Sequence, residues 1–259
     1  MACVRIATWN VNSLKARLPR VEAWLADVQP DIVCLQETKL ADAAFPALAL
    51  QSLGYDSVHH GEGRWNGVAI LSRVGIDDPQ TGFGPDDDDP EARLLWATCG
   101  GLRVASAYVP NGRSLDHEHY KYKLAWLESL RQTLDDQEDP SDPVVVGGDF
   151  NIAPTDDDVW NPAKFLGATH TSEPERAALG ALVDWGLVDT FREHQSEPGL
   201  FSWWDYRGGS FHKKEGMRID LLLATRAVAD RVTFATIDRN ARKGQQPSDH
   251  APVIIDLAD

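Results

Sequence analysis

The residues best suited to chemistry in this chain stand where short apolar strands end. Val144-Val145-Val146-Gly147-Gly148-Asp149-Phe150-Asn151 reads as a β-branched strand that closes on a carboxylate and a carboxamide. Asp149 and Asn151 are two apart, so extended backbone sends both side chains from one face. The paired glycines let a neighbouring group or ligand approach the backbone closely. Five further segments repeat this design. The alternating face Val4, Ile6, Thr8 leads to Asn10 and Asn12, and the face Val33, Leu35 leads to Glu37. Val104 to Tyr108 runs into Pro110, which forbids another ladder hydrogen bond, and then Asn111. Asp220 stands at the start of the apolar run Leu221-Leu222-Leu223, and Ser248-Asp249-His250 directly precedes the strand Ala251 to Ile255. Polar ends of such complementary type predict a rim where sheets converge on one site.

The set is rich in oxygen donors, holds one well-placed histidine and has no Cys cluster or H-x-x-x-H spacing, which favours a hard divalent cation over zinc. Mg²⁺ is the natural occupant, with Mn²⁺ an alternative, because such ions keep several waters and need only one or two protein carboxylates. Glu37 can supply one, helped by Asp249 or, through water, by Asn10 or Asn12. Phosphodiester hydrolysis also requires an oriented water and charge stabilisation on the non-bridging oxygens. Asp149 is the candidate to orient or deprotonate the water. Asn151 and Asn111 can bond phosphate without adding repulsive charge. His250 can donate to a phosphoryl oxygen if Asp220 fixes its tautomer and raises its pKa, and the Tyr108 phenol can donate similarly.

The elements that must position these groups recur from Val4 to Leu257, with no Gly/Ser linker or repeat, so 1–259 is expected to form one domain. Tyr120, Leu124, Leu127, Leu130 and Leu134 share a helical face, and Glu175 to Trp185 reads likewise. Strands alternating with helices predict an α/β domain with covered sheets. Cys3, Cys34 and Cys99 read as small hydrophobes in a reducing compartment. With no signal peptide or long apolar run, a cytoplasmic protein is expected. The net charge is −15, yet Arg207 to Lys243 carries nine cations against four anions, a pattern that permits a basic face on an acidic body. Asp86 to Asp89 reads as a solvated acidic loop.

Trp9-Asn10-Val11-Asn12, Leu35-Gln36-Glu37-Thr38-Lys39, Tyr108-Val109-Pro110-Asn111-Gly112, Gly148-Asp149-Phe150-Asn151, Arg218-Ile219-Asp220 and Ser248-Asp249-His250, in order over nearly the whole chain, resemble the exonuclease III family of abasic-site endonucleases. Gly-Asp-Phe-Asn and Ser-Asp-His alone indicate only the wider DNase I-like superfamily; Leu-Gln-Glu-Thr-Lys and Phe201-Ser202-Trp203-Trp204-Asp205-Tyr206-Arg207 narrow it. The resemblance implies a four-layered α/β sandwich, two packed mixed sheets flanked by helices, with a Mg²⁺-dependent site at one rim. It implies Glu37 as main metal ligand with Asp249 assisting, Asp149 activating water, Asn151, Asn111 and Tyr108 on the phosphate, and His250 paired with Asp220. Some relatives carry Asp where this chain has Asn12, so a second carboxylate near the metal is missing.

Substrate choice is expected in Phe201 to Ile219. In the family this region walls a pocket for a flipped-out abasic deoxyribose, and Trp203, Met217 and Ile219 occupy the matching positions; Trp204 is expected in the core. A sugar without its base costs least to extrude. Arg207, Lys213 and Lys214, with Lys121 and Lys123, are expected to hold the flanking DNA backbone. The function so implied is repair of duplex DNA by a monomer that cuts 5′ of abasic sites and trims 3′ ends. The alternatives are a phosphoesterase acting on a phospholipid or inositol phosphate, which suits the acidity but lacks a membrane-docking loop, and a catalytically silent DNA-end binder.

Overall fold

Alternation of side chains along the strands decides the layers of this molecule. The computed structural model describes residues 3–84 and 89–258, and in them twelve strands, numbered along the chain, form two six-stranded sheets. The first contains β1 (Val4–Asn10), β2 (Ile32–Gln36), β3 (Asp56–His60), β4 (Val68–Ser72), β11 (Val232–Ile237) and β12 (Val253–Leu257), in the order β11-β12-β1-β2-β4-β3. The second contains β5 (Asp77–Thr81), β6 (Leu94–Cys99), β7 (Leu102–Tyr108), β8 (Val144–Asp149), β9 (Leu187–Asp189) and β10 (Asp220–Thr225), in the order β5-β6-β7-β8-β10-β9. Ile6, Ile32, Cys34, Ile70 and Val253 of the first sheet pack on Leu95, Val104, Val145 and Leu222 of the second, so the main core lies between the sheets.

The opposite faces bury helices. Ala7, Trp9, Val33, Leu35 and Leu71 pack against Leu14, Val21, Trp24 and Leu25 of α1 (Leu14–Val28) and Leu50 of α2 (Ala47–Gln51). Trp96, Ala105, Val144, Val146 and Leu221 pack against α3 (Glu118–Gln137) and α4 (Glu173–Trp185). Four layers follow, helices outside two mixed sheets, as the resemblance implied. The expected helical face of 120–134 lies in α3, and α4 starts at a capping box between Ser172 and Glu175.

Strand register gathers the polar ends at one rim. β1 and β2 are parallel, as are β7 and β8, so Asn10 lies beside Gln36 and Tyr108 beside Asp149. β10 runs antiparallel to β8 and sets Asp220, its first residue, opposite Asp149. β12 is antiparallel to β1 with Val253 opposite Thr8, which carries His250 past the end of β1. The glycines of β8 answer to packing between strands: a Cβ on Gly148 would lie 1.9 Å from the Ala107 carbonyl oxygen, and one on Gly147 would lie 2.8 Å from Leu222.

Three expectations need correction. Cys3 is exposed, whereas Cys34 and Cys99 are buried between the sheets. Asp86 to Asp88 lie outside the described residues, and Asp89 is no free solvated acid, since it accepts the Tyr122 hydroxyl at 2.8 Å. The cations from Arg207 to Lys243 do not all serve a basic face, because Arg218 is buried against Asp158 and Asp189, both at 2.7 Å, and Arg242 is buried as well. Among the described residues no helix is long and apolar enough to cross a membrane.

Candidate active site

Asn10 ends β1 on the face between the sheets, and its amide nitrogen donates to Glu37 Oε1 at 2.8 Å and to Asp149 Oδ2 at 2.9 Å. Two carboxylates from different sheets are thereby held on either side of one neutral group. Asp220 accepts from His250 Nδ1 through both oxygens, at 3.0 and 2.9 Å, while His250 Nε2 faces Asp149 Oδ2 at 3.8 Å. Ser248 Oγ donates to the Asn10 carbonyl at 2.7 Å and accepts the His250 backbone N–H, so the histidine loop is pinned to the end of β1. Burial pushes the Asp149 carboxyl up to about 7, with His250 pulling it back and Asp220 adding to the rise. Burial works against the His250 cation, but Asp220 and Asp149 outweigh it and hold the imidazolium to about 10.

Glu37 reaches this site by a turn rather than along a strand face. Val33 and Leu35 point to the outer helices, and strict alternation would send Glu37 with them. Instead β2 stops at Gln36, and Glu37 adopts a left-handed φ of 51° that swings its carboxylate inward. Asn12 (φ 44°) and Asn151 (φ 51°) turn in the same way just beyond β1 and β8, so the extended geometry expected from Asp149 to Asn151 is likewise broken. Non-glycine residues in this region are uncommon, and three at adjacent strand ends mark a rim held by its surroundings.

Lys39 Nζ bridges Glu37 Oε2 at 2.7 Å and Asn12 Oδ1 at 2.6 Å, and Asn12 Nδ2 donates to Asp249 Oδ1 at 2.9 Å. Trp203 Nε1 donates to the other oxygen of Asp249 at 3.1 Å. Burial opposes the Asp249 charge, but His250, Asn12 and Trp203 keep its pKa below the ordinary carboxylate value. Tyr108 faces Glu37 and Asp149, and burial together with Glu37 raises its phenol well above the usual value, so it keeps its proton. Arg93 stacks on its ring at 4.6 Å. Ligand atoms of Glu37, Asp149 and His250 all lie within 4.8 Å of one another. The imidazolium form of His250 has no lone pair to give, so the cation-binding capacity rests on Glu37 and Asp149, while Asp249 is linked to Glu37 through Asn12 and Lys39. Oxygen donors of this kind fit a hard divalent cation.

The other end of the rim is neutral. Asn151 donates its side-chain N–H to the Val109 carbonyl at 2.9 Å and its backbone N–H to Asp149 Oδ1 at 2.9 Å. Its side-chain oxygen accepts from Asn111 Nδ2 at 3.1 Å and lies 3.2 Å from His170 Nε2. Behind it Lys123 Nζ donates to the Asn151 carbonyl at 2.7 Å and pairs with Glu175, both side chains fully buried. Glu175 also accepts from Thr169 and Ser172 hydroxyls, each at 2.6 Å, and from the His170 backbone N–H at 2.9 Å. Burial and Lys123 lower His170 to about 4, leaving a neutral ring. Lys123 is therefore no surface contact for DNA, contrary to expectation.

His170, Lys123 and Glu175 were not read as a unit from sequence. A signal existed for the lysine: it falls three residues after Tyr120 and four before Leu127, on the apolar face of α3. The region expected to choose substrate is compact. Met217 and Ile219 are buried with Ala153 and Val159, Trp203 lies partly exposed beside them, and Trp204 is in the core as expected. Gly216 is required there, since a Cβ would lie 2.5 Å from Trp204 Nε1. Arg207 is exposed but paired with Asp205 at 2.7 Å, Lys213 and Lys214 edge a cavity with Asp156, Asp157 and Trp160, and Lys121 lies exposed on α3 beside Glu118 at 3.0 Å.

Comparison with known proteins matches residues 7–250 to the Endonuclease/Exonuclease/phosphatase family. The chain is 36% identical to exodeoxyribonuclease III of Haemophilus influenzae, covering 96% of this chain and 98% of that protein. Its fold superposes on an AP endonuclease from Archaeoglobus fulgidus with a TM-score of 0.96 at 36% identity, covering 99% and 100% of the two chains. A 3′ phosphatase from Neisseria bound to a product DNA hairpin gives 0.95 at 41% identity, with the same coverage.

Proposed function

The chain belongs to the endonuclease/exonuclease/phosphatase family, and we propose that it is a divalent-metal-dependent DNA-repair phosphodiesterase. It hydrolyses the backbone 5′ of abasic sites and removes nucleotides or blocking groups from 3′ ends of duplex DNA. The observation that carries this reading is the continuous polar track Asp220, His250, Asp149, Asn10, Glu37, hydrogen-bonded at every step except the 3.8 Å ion pair between His250 and Asp149, next to an amide-rich surface at Asn151 and Asn111. Relatives that span the full chain and act on DNA ends or abasic sites by name support the substrate class.

In this scheme Asp149 takes a proton from the attacking water, and its raised pKa suits it to that task near neutrality. The His250 imidazolium, held by Asp220, donates through Nε2 to a non-bridging oxygen. Asn151, Asn111 and the Tyr108 phenol give neutral donors to the phosphate as charge develops. Glu37, joined to Asp249 through Lys39 and Asn12, would hold Mg²⁺ or Mn²⁺, which supplies charge neutralisation on the phosphate. Trp203, Met217 and Ile219 would wall the space for a sugar without a base. Purified protein offered a duplex with one abasic site, a duplex with a recessed 3′ end and a phosphoinositide should cleave only the DNAs, and chelation should abolish cleavage. Metal-dependent phosphoinositide hydrolysis without DNA cleavage would reverse the assignment, and metal-dependent DNA binding without cleavage would identify a silent end binder.

A further inference from the structure

Arg93 is a deeply buried cation with no task in the scheme above. It stands directly before β6, is 5% exposed, and lays its guanidinium over the Tyr108 ring with the central carbon 4.6 Å from the ring centroid. Its Nη1 donates to the Tyr108 carbonyl at 3.2 Å, and the Tyr108 backbone N–H donates to the Arg93 carbonyl at 2.8 Å. One residue therefore grips the tyrosine by ring and backbone together. Arg218, also buried, is neutralised by Asp158 and Asp189, both at 2.7 Å, whereas Arg93 pairs with Glu91, whose side chain is 28% exposed. Arg93 keeps more of its field, and burial leaves that field little screened by water.

Tyr108 joins this cation to the reacting end of the rim. Burial does most to raise the phenol pKa, followed by Glu37, and Arg93 acts against both. The carboxylates keep the proton on the phenol, while a cation on the π-face attracts electron density from the ring and makes the retained O–H a stronger donor. Arg93 also borders a cavity of about 560 Å³ that Tyr108 and Asn111 line, so direct contact with a DNA phosphate is the competing role. The two roles separate cleanly, because only the first needs the Tyr108 hydroxyl.

Resting on the reading of Tyr108 as a phosphate donor in a DNA hydrolase, we propose that Arg93 is a positioning residue for that reaction. It fixes the Tyr108 ring and, by its charge on the ring face, strengthens the phenolic O–H toward the phosphate oxygen that gains charge in the transition state. No proton leaves Tyr108 in this role; the hydrogen bond it gives becomes stronger as the oxygen becomes more negative. Arg93 itself touches neither substrate nor metal. Its effect is therefore expected on the transition state rather than on ground-state binding.

Wild type, Arg93→Gln, Tyr108→Phe and the double variant are assayed with Mg²⁺ on a duplex carrying one abasic site. Arg93→Gln should lower kcat roughly tenfold with KM within about twofold when Tyr108 is present, and should cost less than about twofold in kcat when Tyr108→Phe is already in place. Arg93→Lys, which keeps a cation for the ring but loses the two-pronged grip on Glu91 and the Tyr108 carbonyl, should hold kcat within about threefold of wild type. Equal factors for Arg93→Gln in both backgrounds, or a rise in KM that persists with Tyr108→Phe, would assign Arg93 to direct contact or to folding and overturn the proposal. So would a kcat as low in Arg93→Lys as in Arg93→Gln, or a Tyr108→Phe variant as active as wild type. If wild type cuts DNA while the pattern fails, the role of Arg93 alone is lost; if wild type cuts no DNA, the functional reading falls with it.

Discussion

The two ends of the rim solve opposite problems. At the acid end, Asp220, His250, Asp149 and Glu37 are ionisable groups on strand ends, each within reach of another ionisable or amide partner inside the site. At the amide end, Asn111, Asn151 and His170 face the site as neutral groups, while the charges, Lys123 and Glu175, are buried behind them. A group that must gain and lose a proton needs neighbours that stabilise both forms. A surface that must receive an anion needs fixed donors, and a buried ion pair can fix backbone without presenting net charge to the ligand. The difference predicts that substitutions at the acid end cost turnover, and those behind the amide end cost stability and affinity.

The largest effect is expected at Asp149. Asp149→Asn preserves size and one of the two hydrogen bonds that the carboxylate accepts from Asn10 and Asn151 but removes the base, and kcat should fall by roughly 10³-fold with the melting temperature unchanged or raised. The rise would follow from burial of the carboxylate, whose pKa of about 7 shows that its charge is disfavoured in the fold. A fall in kcat below tenfold would show that the water is activated elsewhere. Lys123→Met should do the reverse. It leaves Glu175 charged and buried, costing about 3–5 kcal/mol of stability, and it frees the Asn151 carbonyl, so KM should rise more than kcat falls. Adding Glu175→Gln should recover much of the stability. A double variant no more stable than the single one would mean that the pair does not act as a unit.

Asp220→Asn tests whether the acid end depends on a charged histidine. The His250 pKa is raised in the fold from 6.5 to about 10, so its stabilising contribution is complete below about pH 6.5 and is lost as the pH rises through about 10. In metal-free protein, the difference in melting temperature between wild type and Asp220→Asn should therefore be widest below pH 6.5 and narrow toward pH 10. A difference that is constant over that range would reduce Asp220 to a hydrogen-bond acceptor for a neutral ring.

Much of the acid end was legible because register in a sheet is local arithmetic. Asp149, Asp220, Asn10 and His250 lie at or just beyond the ends of readable strands, and pairing of β8 with β10 and of β1 with β12 brings them together. Glu37 was assigned to the rim by the wrong route, since alternation points it outward and only a left-handed turn brings it in. Such a turn carries no hydrophobic period to read. The amide end was half legible. Asn111 and Asn151 follow strands, but Lys123, His170 and Glu175 come from two helices and a loop that meet only through tertiary packing. A lysine on an apolar stripe was the one trace, and its partner 52 residues on could not be named from spacing.

The smallest effects are expected outside both ends, and they bear on whether the surface cations of 207–214 extend the rim. Lys213 and Lys214 are exposed, whereas Arg207 holds Asp205 through its guanidinium at 2.7 Å. A cation already paired with a carboxylate must release it before neutralising a phosphate, so it gains less from DNA and displaces less counterion. Removing both lysines should weaken binding to all DNA sequences alike and flatten the slope of log K against log salt by up to about 2, near 0.9 for each phosphate contact. Arg207→Ala should flatten it by well under 1, because the loss of the arginine is partly offset by the freed Asp205. A flattening by Arg207→Ala equal to half that of the double lysine variant would show that the Asp205 pair opens without cost when DNA arrives, and an unchanged slope in the double lysine variant would place the backbone path away from Lys213 and Lys214.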